Sequence, residues 1–193
     1  MTRKNRKYSK TNIYHVIIKG IDSQDIFYDD RDKQVFLEKL IETKRNIDYK
    51  IYAYCLMSNH VHMVIEIEDK FLSKAIQSLN IRYNRYFNKK YMRSGTLFQD
   101  RFKSKCVENQ KYFLDVCRYV HQNPEKAKIC KTEDYKWSSY HEYFKKPNII
   151  DKNILLYYFD IIGKLYFVLE IRQNVYVNTN RLKQIMHLVL CKR

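Results

Sequence analysis

His60 and His62, in the run Ser58-Asn59-His60-Val61-His62, are the residues best placed to do chemistry in this chain. Side chains along a β-strand alternate between faces, so positions i and i+2 project together. The two imidazoles therefore share a face. Val61, Met63, Ile65 and Ile67 fill the other, which reads as the core side, with Met57 and Met63 as core filler. A pair of imidazoles at this spacing binds one divalent cation when another element adds ligands. The triplet by itself fits a polar, solvated strand face better than a metal site.

Two further groups bear on that choice. Tyr119 and Asn123 are four residues apart in a helical pattern and so project together. Between Arg82 and Lys105 lie Arg82, Arg85, Lys89, Lys90, Arg93, Arg101, Lys103 and Lys105, opposed only by Asp100. Tyr83, Tyr86, Phe87, Tyr91, Phe98 and Phe102 are interleaved with them. Cations that track phosphates, with rings on which bases stack, describe a groove for single-stranded nucleic acid.

The elements that must position these groups follow from hydrophobic periodicity. Residues 12–19 read as a first strand. Residues 31–46 form an amphipathic helix with Phe36, Leu37, Leu40 and Ile41 inward. Residues 50–57 and 60–67 are two β-rich runs joined by a tight Ser-Asn turn, and a helix spans Leu72 to Asn88. Residues 96–108 look extended after the break at Ser94-Gly95. The order β-α-β-β-α-β predicts an α+β fold, a ferredoxin-like split β-α-β antiparallel sheet with helices on one face. An added helix from Gln110 to Gln122, stopped by Asn123-Pro124, carries Tyr119. The expected division is a domain over 1–146 and a helical C-terminal extension over 147–193.

Composition limits the function classes. Of 193 residues, 45% are hydrophobic, enough to bury a core in one domain. The 37 Lys and Arg outweigh 21 Asp and Glu, for a formal charge of +16. That excess favours a polyanion, and the clustering of Arg favours nucleic acid over an anionic membrane. Five cysteines with no C-x-x-C pair argue against a disulfide framework or thiolate zinc site and for a reducing compartment. The basic start leads into no apolar signal segment. The most apolar stretch, 154–171, is broken by Asp160, Lys164 and Glu170, so no membrane span is expected and a cytoplasmic location is.

The strings SNHVH, RSGTLFQDRFKS, RYVHQNP and WSSY occur in that order between Tyr14 and Tyr140. This ordered set resembles the single-tyrosine HUH transposases, specifically the REP-associated tyrosine transposases and their IS-element relatives. The resemblance implies a metal-dependent single-strand DNA endonuclease and strand transferase acting on hairpin-associated DNA through a 5′-phosphotyrosine. It implies Tyr119 as nucleophile, with His60 and His62 as the HUH pair for Mg²⁺ or Mn²⁺ and Asn123 as a third metal ligand. Gln99 and Arg101 match the F-Q-x-R-F segment and, with Arg82, Arg85, Lys89, Arg93 and Lys103, are the candidate DNA contacts. Relatives act as monomers and as homodimers, and the sequence does not choose between them.

Two stretches depart from the family pattern. Lys19-Gly20-Ile21-Asp22 stands where R-G-N-N is usual, and Glu125-Lys126-Ala127-Lys128 where V-R-A-G is usual. Three side roles are also expected: Trp137 as a packing anchor beside a Ser138-Ser139 cap, His121 as an exposed residue solvating its helix, and His15 in either the core or a DNA contact. The competing reading is a non-catalytic structured-DNA or RNA binding protein derived from a domesticated transposase. A zinc hydrolase lacks its H-E-x-x-H motif here.

Overall fold

The computed structural model describes residues 6–154. Strand β1 (Ile13–Lys19) leads to helix α1 (Asp30–Asn46), strands β2 (Lys50–Leu56) and β3 (His60–Glu66), and helix α2 (Asp69–Lys90). Strand β4 (Lys103–Cys106), helix α3 (Gln110–His121) and the short helix α4 (Asn123–Lys126) follow. The strands form one antiparallel sheet in the order β2-β3-β1-β4, the expected ferredoxin-like α+β arrangement.

Local chemistry sets the helix limits. Asp29 and Asp32 form a reciprocal capping box at the start of α1, and Lys44 and Arg45 sit in its last turn against the negative end of the helix dipole. Helix α2 buries Leu72, Ala75, Ile76, Leu79, Tyr83 and Phe87, spaced three and four residues apart. At α3, Asn109 accepts from the Tyr112 amide and satisfies one of the free donors of the first turn.

Register sorts the sheet into two faces. Tyr14, Val16 and Ile18 of β1 lie beside Ile65, Met63 and Val61 of β3. All six are at most 1% exposed, forming the dry face beneath α1 and α2. The other face carries His15, Ile17 and Lys19 beside Val64, His62 and His60, with Lys105 and Lys103 of β4 alongside. Helix α3 covers only the β2–β3 half of this second face, with the Phe113 ring 5.2 Å from that of Tyr52. It buries Phe113, Val116, Cys117 and Val120 there, at about 1.5–3 kcal/mol for each large apolar side chain. Among the described residues no helix covers the β1–β4 half, and Lys19, Lys103 and Lys105 are exposed on it.

One sequence expectation changes. The extended stretch over 96–108 divides into two pieces: Phe98 pairs with Gly20 in an isolated bridge, and β4 begins only at Lys103. Leu97 and Phe98 are adjacent and both buried, which breaks strict alternation and bends the chain between the pieces. Beyond the expected domain limit at residue 146, the backbone amides of Asn148 and Ile149 donate to Glu142 Oε2, each at 2.8 Å. Asp151 pairs with Lys44 and exchanges backbone and side-chain hydrogen bonds with Ile51. The remainder of the expected extension, 155–193, lies outside the described residues. No helix among the described residues is long and apolar enough to cross a membrane.

Candidate active site

The turn before β3 is clamped by the loop that follows β1. The Asn59 carbonyl accepts from Gly20 N at 3.0 Å, and the Ser58 carbonyl accepts from Ile26 N and Phe27 N. Asn59 Nδ2 donates to the Ser23 carbonyl at 3.1 Å, which fixes the orientation of its amide. Its Oδ1 then faces His60 Nδ1 at 2.6 Å. An amide oxygen only accepts, so His60 must carry its proton on Nδ1, leaving a lone pair on Nε2. The loop takes left-handed backbone angles at Asp22 (φ 48) and Ser23 (φ 62), conformations that short polar residues tolerate best.

His62 is 4% exposed and its ring lies 4.9 Å from that of His60, nearly perpendicular to it. Its Nδ1 is 2.9 Å from Nε2 of His15, and those two rings stack at 5.2 Å. Burial pushes His62 down to about 3, helped by His15, His60 and Lys19. Burial, with Lys105 nearby, pushes His15 to about 4. Burial and Lys19 also lower His60. At neutral pH His15 and His62 are therefore uncharged, the form of imidazole that ligates metals.

Tyr119 flanks the buried stripe of α3, and the helix sets it over the histidines. Its ring centroid is 5.5 Å from that of His62 and 5.8 Å from that of His15, edge-on in both cases. At 39% exposure it is open to a ligand approaching over the uncovered half of the sheet. Lys126 Nζ stands 4.4 Å from the ring centre. Asn123 lies one turn on, with Nδ2 donating to the carbonyls of Tyr119 (2.8 Å) and Val120 (3.2 Å). Both amide hydrogens are thus committed, and Oδ1 is the atom it could offer a cation.

His60 and His62 could offer imidazole nitrogens and Asn123 an amide oxygen to a divalent cation, a donor set that carries no charge of its own. Among the described residues, no group of three or more His, Cys, Asp and Glu gathers into an alternative metal site. By donor chemistry alone, two imidazoles and one amide oxygen fit an ion that keeps coordination positions open.

The candidate DNA contacts fall into three places. Gln99, Arg101 and Lys103 line one concave surface with Arg6, Lys7, Phe102 and Lys105, and the Arg6 guanidinium lies over the Phe102 ring at 3.9 Å. Arg82, Arg85 and Lys89 are on α2, across the sheet from the histidines, and Arg82 pairs with Glu42 of α1. Arg93 donates to Gln24 in the loop after β1. Lys90 is held by Asp29 and the buried Asp32, a structural role. The basic run thus spans two layers, joined at Arg6, Arg101 and Phe102, which also line a second concave surface with Gln77, Asn80 and Asn84 of α2.

A family model for IS200-like transposases matches residues 8–123 of the 193. The chain belongs to the IS200-like transposase family. None of the curated proteins compared matches it. Among solved structures, this IS200-like transposase is similar to a REP-associated tyrosine transposase bound to a REP hairpin: 18% identity, TM-score 0.65, covering 76% of this chain and 87% of that one. It also matches a candidate transposase of Deinococcus radiodurans R1 at 14% identity and TM-score 0.44, over 63% of this chain and 97% of that one. The first likeness shows the shared fold.

Sequence reasoning left several site residues of this transposase unassigned. Asn59 and Lys126 were legible only as turn and loop residues, because their contacts run to other segments. His15 alternates with Ile13 and Ile17, a pattern that does not reveal what stands across the strand. His121 corrects an expectation: it is 0% exposed rather than solvating its helix. Its Nε2 bonds Ser139 Oγ at 2.8 Å, and Ser139 Oγ in turn accepts from Tyr54 N at 2.9 Å, tying α3 to β2 through the WSSY segment. Trp137 meets its expected role, with Nε1 donating to Asp30 and its carbonyl accepting from Leu56 N.

Proposed function

We propose that this IS200-like transposase is a metal-dependent, single-strand DNA endonuclease and strand transferase working through a 5′-phosphotyrosine on hairpin-associated DNA in the cytoplasm. One observation carries the reading. Tyr119 and His62, distant in sequence, stand with ring centroids 5.5 Å apart on the sheet face that also bears His60. Support comes too from the family, whose members move DNA, and from the resemblance that casts Tyr119 as nucleophile.

His60, His62 and Asn123 would hold Mg²⁺ or Mn²⁺, which when bound polarises a non-bridging oxygen of the scissile phosphate. The Tyr119 oxygen attacks phosphorus and the bond to the 3′ oxygen breaks. The phenolic proton leaves to solvent, and the departing oxygen takes one up as a 3′-hydroxyl. The new ester conserves the phosphodiester's bonding, so a 3′-hydroxyl of another strand can reverse the step without ATP. Lys126 and the open β1–β4 face with Lys19, Lys103 and Lys105 supply positive charge where the phosphates would lie. Arg82, Arg85 and Lys89 are on α2 and would meet DNA that continues past Arg101 along the concave surface α2 shares with Arg6 and Phe102.

The test is a denaturing gel of the full chain with a labelled hairpin oligonucleotide bearing single-stranded flanks. A covalent adduct is expected with Mg²⁺ or Mn²⁺, lost with EDTA and absent in Tyr119→Phe. An adduct at wild-type level in Tyr119→Phe overturns the nucleophile. Hairpin binding indifferent to EDTA, with no adduct under any metal, would establish the non-catalytic binding protein instead.

A further inference from the structure

We infer that His15 is a positioning residue that holds His62 in the tautomer able to bind metal, an inference that rests on the metal-dependent reading above. His15 is 8% exposed on the α3-facing side of the sheet, between Lys105 of β4 and Val64 of β3 in the strand register. Its Nε2 and His62 Nδ1 are 2.9 Å apart, a hydrogen-bond distance that requires one proton between them. If His62 donates from Nδ1, its Nε2 keeps a lone pair for a cation. If His15 donates instead, His62 must carry its own proton on Nε2, and that atom cannot ligate.

The two site histidines would then be held in the same manner from opposite sides. Asn59 Oδ1 fixes His60 through Nδ1, and His15 Nε2 fixes His62 through Nδ1. His15 also touches the Tyr119 ring edge-on at 5.8 Å, so one side chain braces both a metal ligand and the proposed nucleophile. A partner on the far nitrogen orients a ligating imidazole and raises its basicity; its loss typically costs 10–100-fold in metal affinity.

Nitrogen-15 NMR of histidine-labelled, metal-free full chain reads the tautomer directly, with His62 assigned by the signal lost in His62→Ala. The expected spectrum has the His62 proton on Nδ1. In His15→Phe, which keeps bulk and stacking but removes the acceptor, the His62 proton moves to Nε2 and the Mn²⁺ dissociation constant rises about 10–100-fold. In His15→Gln, which restores an acceptor oxygen, both return toward wild type. A proton on His62 Nε2 in the wild type overturns the inference without any variant having to fold. So does unchanged Mn²⁺ affinity in His15→Phe, or equal loss in the Phe and Gln variants. None of these readings depends on whether the protein forms a DNA adduct, so failure here is distinct from failure of the proposed reaction.

Discussion

Asn59 Oδ1 lies 2.6 Å from Nδ1 of His60, the neighbouring residue, while the same amide donates to the Ser23 carbonyl at 3.1 Å. The side chain that builds the turn before β3 thereby selects the protonation site of the first imidazole. Asn59→Ala removes that acceptor and leaves His60 free to rotate and exchange tautomers. Isothermal titration with Mn²⁺ should show affinity falling by about tenfold or more, with Asn59→Asp recovering most of it. Unchanged affinity in Asn59→Ala would mean that the amide only shapes the turn.

Gly20 sits where that turn meets the end of β1. A Cβ there would be 2.2 Å from the Gln24 carbonyl oxygen and 2.9 Å from Ile26 Cγ2. The first neighbour is backbone and must shift, so Gly20→Ala should destabilise the protein by about 1–3 kcal/mol. Gly20 N also donates to the Asn59 carbonyl, and the shift should weaken Mn²⁺ binding as well. Thermal denaturation and metal titration on the same preparation check both effects, and a wild-type melting temperature would show that this loop has room for a methyl group.

Salt titration separates the two groups of cations. Each phosphate contact to a single strand contributes a slope of about −0.7 in log affinity against log salt. Replacing Lys103 and Lys105 together by Ala should flatten the slope by about 1.4, one contact each. Arg82→Ala should leave it unchanged, because Arg82 is paired with Glu42 across α1 and α2. A slope lowered by Arg82→Ala would instead place part of the substrate on the α2 side.

The buried histidines make stability depend on pH. His15 is held at about 4, and His62 and His121 at about 3, against the ordinary 6.5 of an exposed imidazole. Burial is the main cause in all three. Below 6.5 the unfolded chain binds protons that the folded chain refuses, so stability is full above that pH and declines as pH falls toward 4. Each histidine contributes a slope of about 1.4 kcal/mol per pH unit once its unfolded form is charged. Urea midpoints of chelated protein should therefore drop between pH 7 and pH 5, and His121→Asn should flatten the decline by one proton. A midpoint constant over that range would show that these side chains reach water when folded.

Local periodicity made much of the fold and part of the site legible. The two-residue repeat of a strand puts His60 and His62 on one face, and the helical turn sets Tyr119 beside Asn123, whatever the rest of the chain does. The same rules marked β1, β2, β3, the inward face of α1 and the spans of α2 and α3, because burying an apolar stripe leaves a periodic trace.

What no periodicity carries is which segments meet. That His15 stands against His62 depends on the pairing of β1 with β3, where a slip of one residue would turn His15 to the other face. That Tyr119 reaches the histidines depends on α3 lying over β2 and β3 rather than over the open β1–β4 half. The burial of His121 was invisible because its partner, Ser139, belongs to a segment that folds back only after the helix ends. The basic run from Arg82 to Lys105 reads as one patch along the chain, yet it is spread over two layers that meet at Arg101. Local rules fix which side chains travel together; only long-range packing decides what they face.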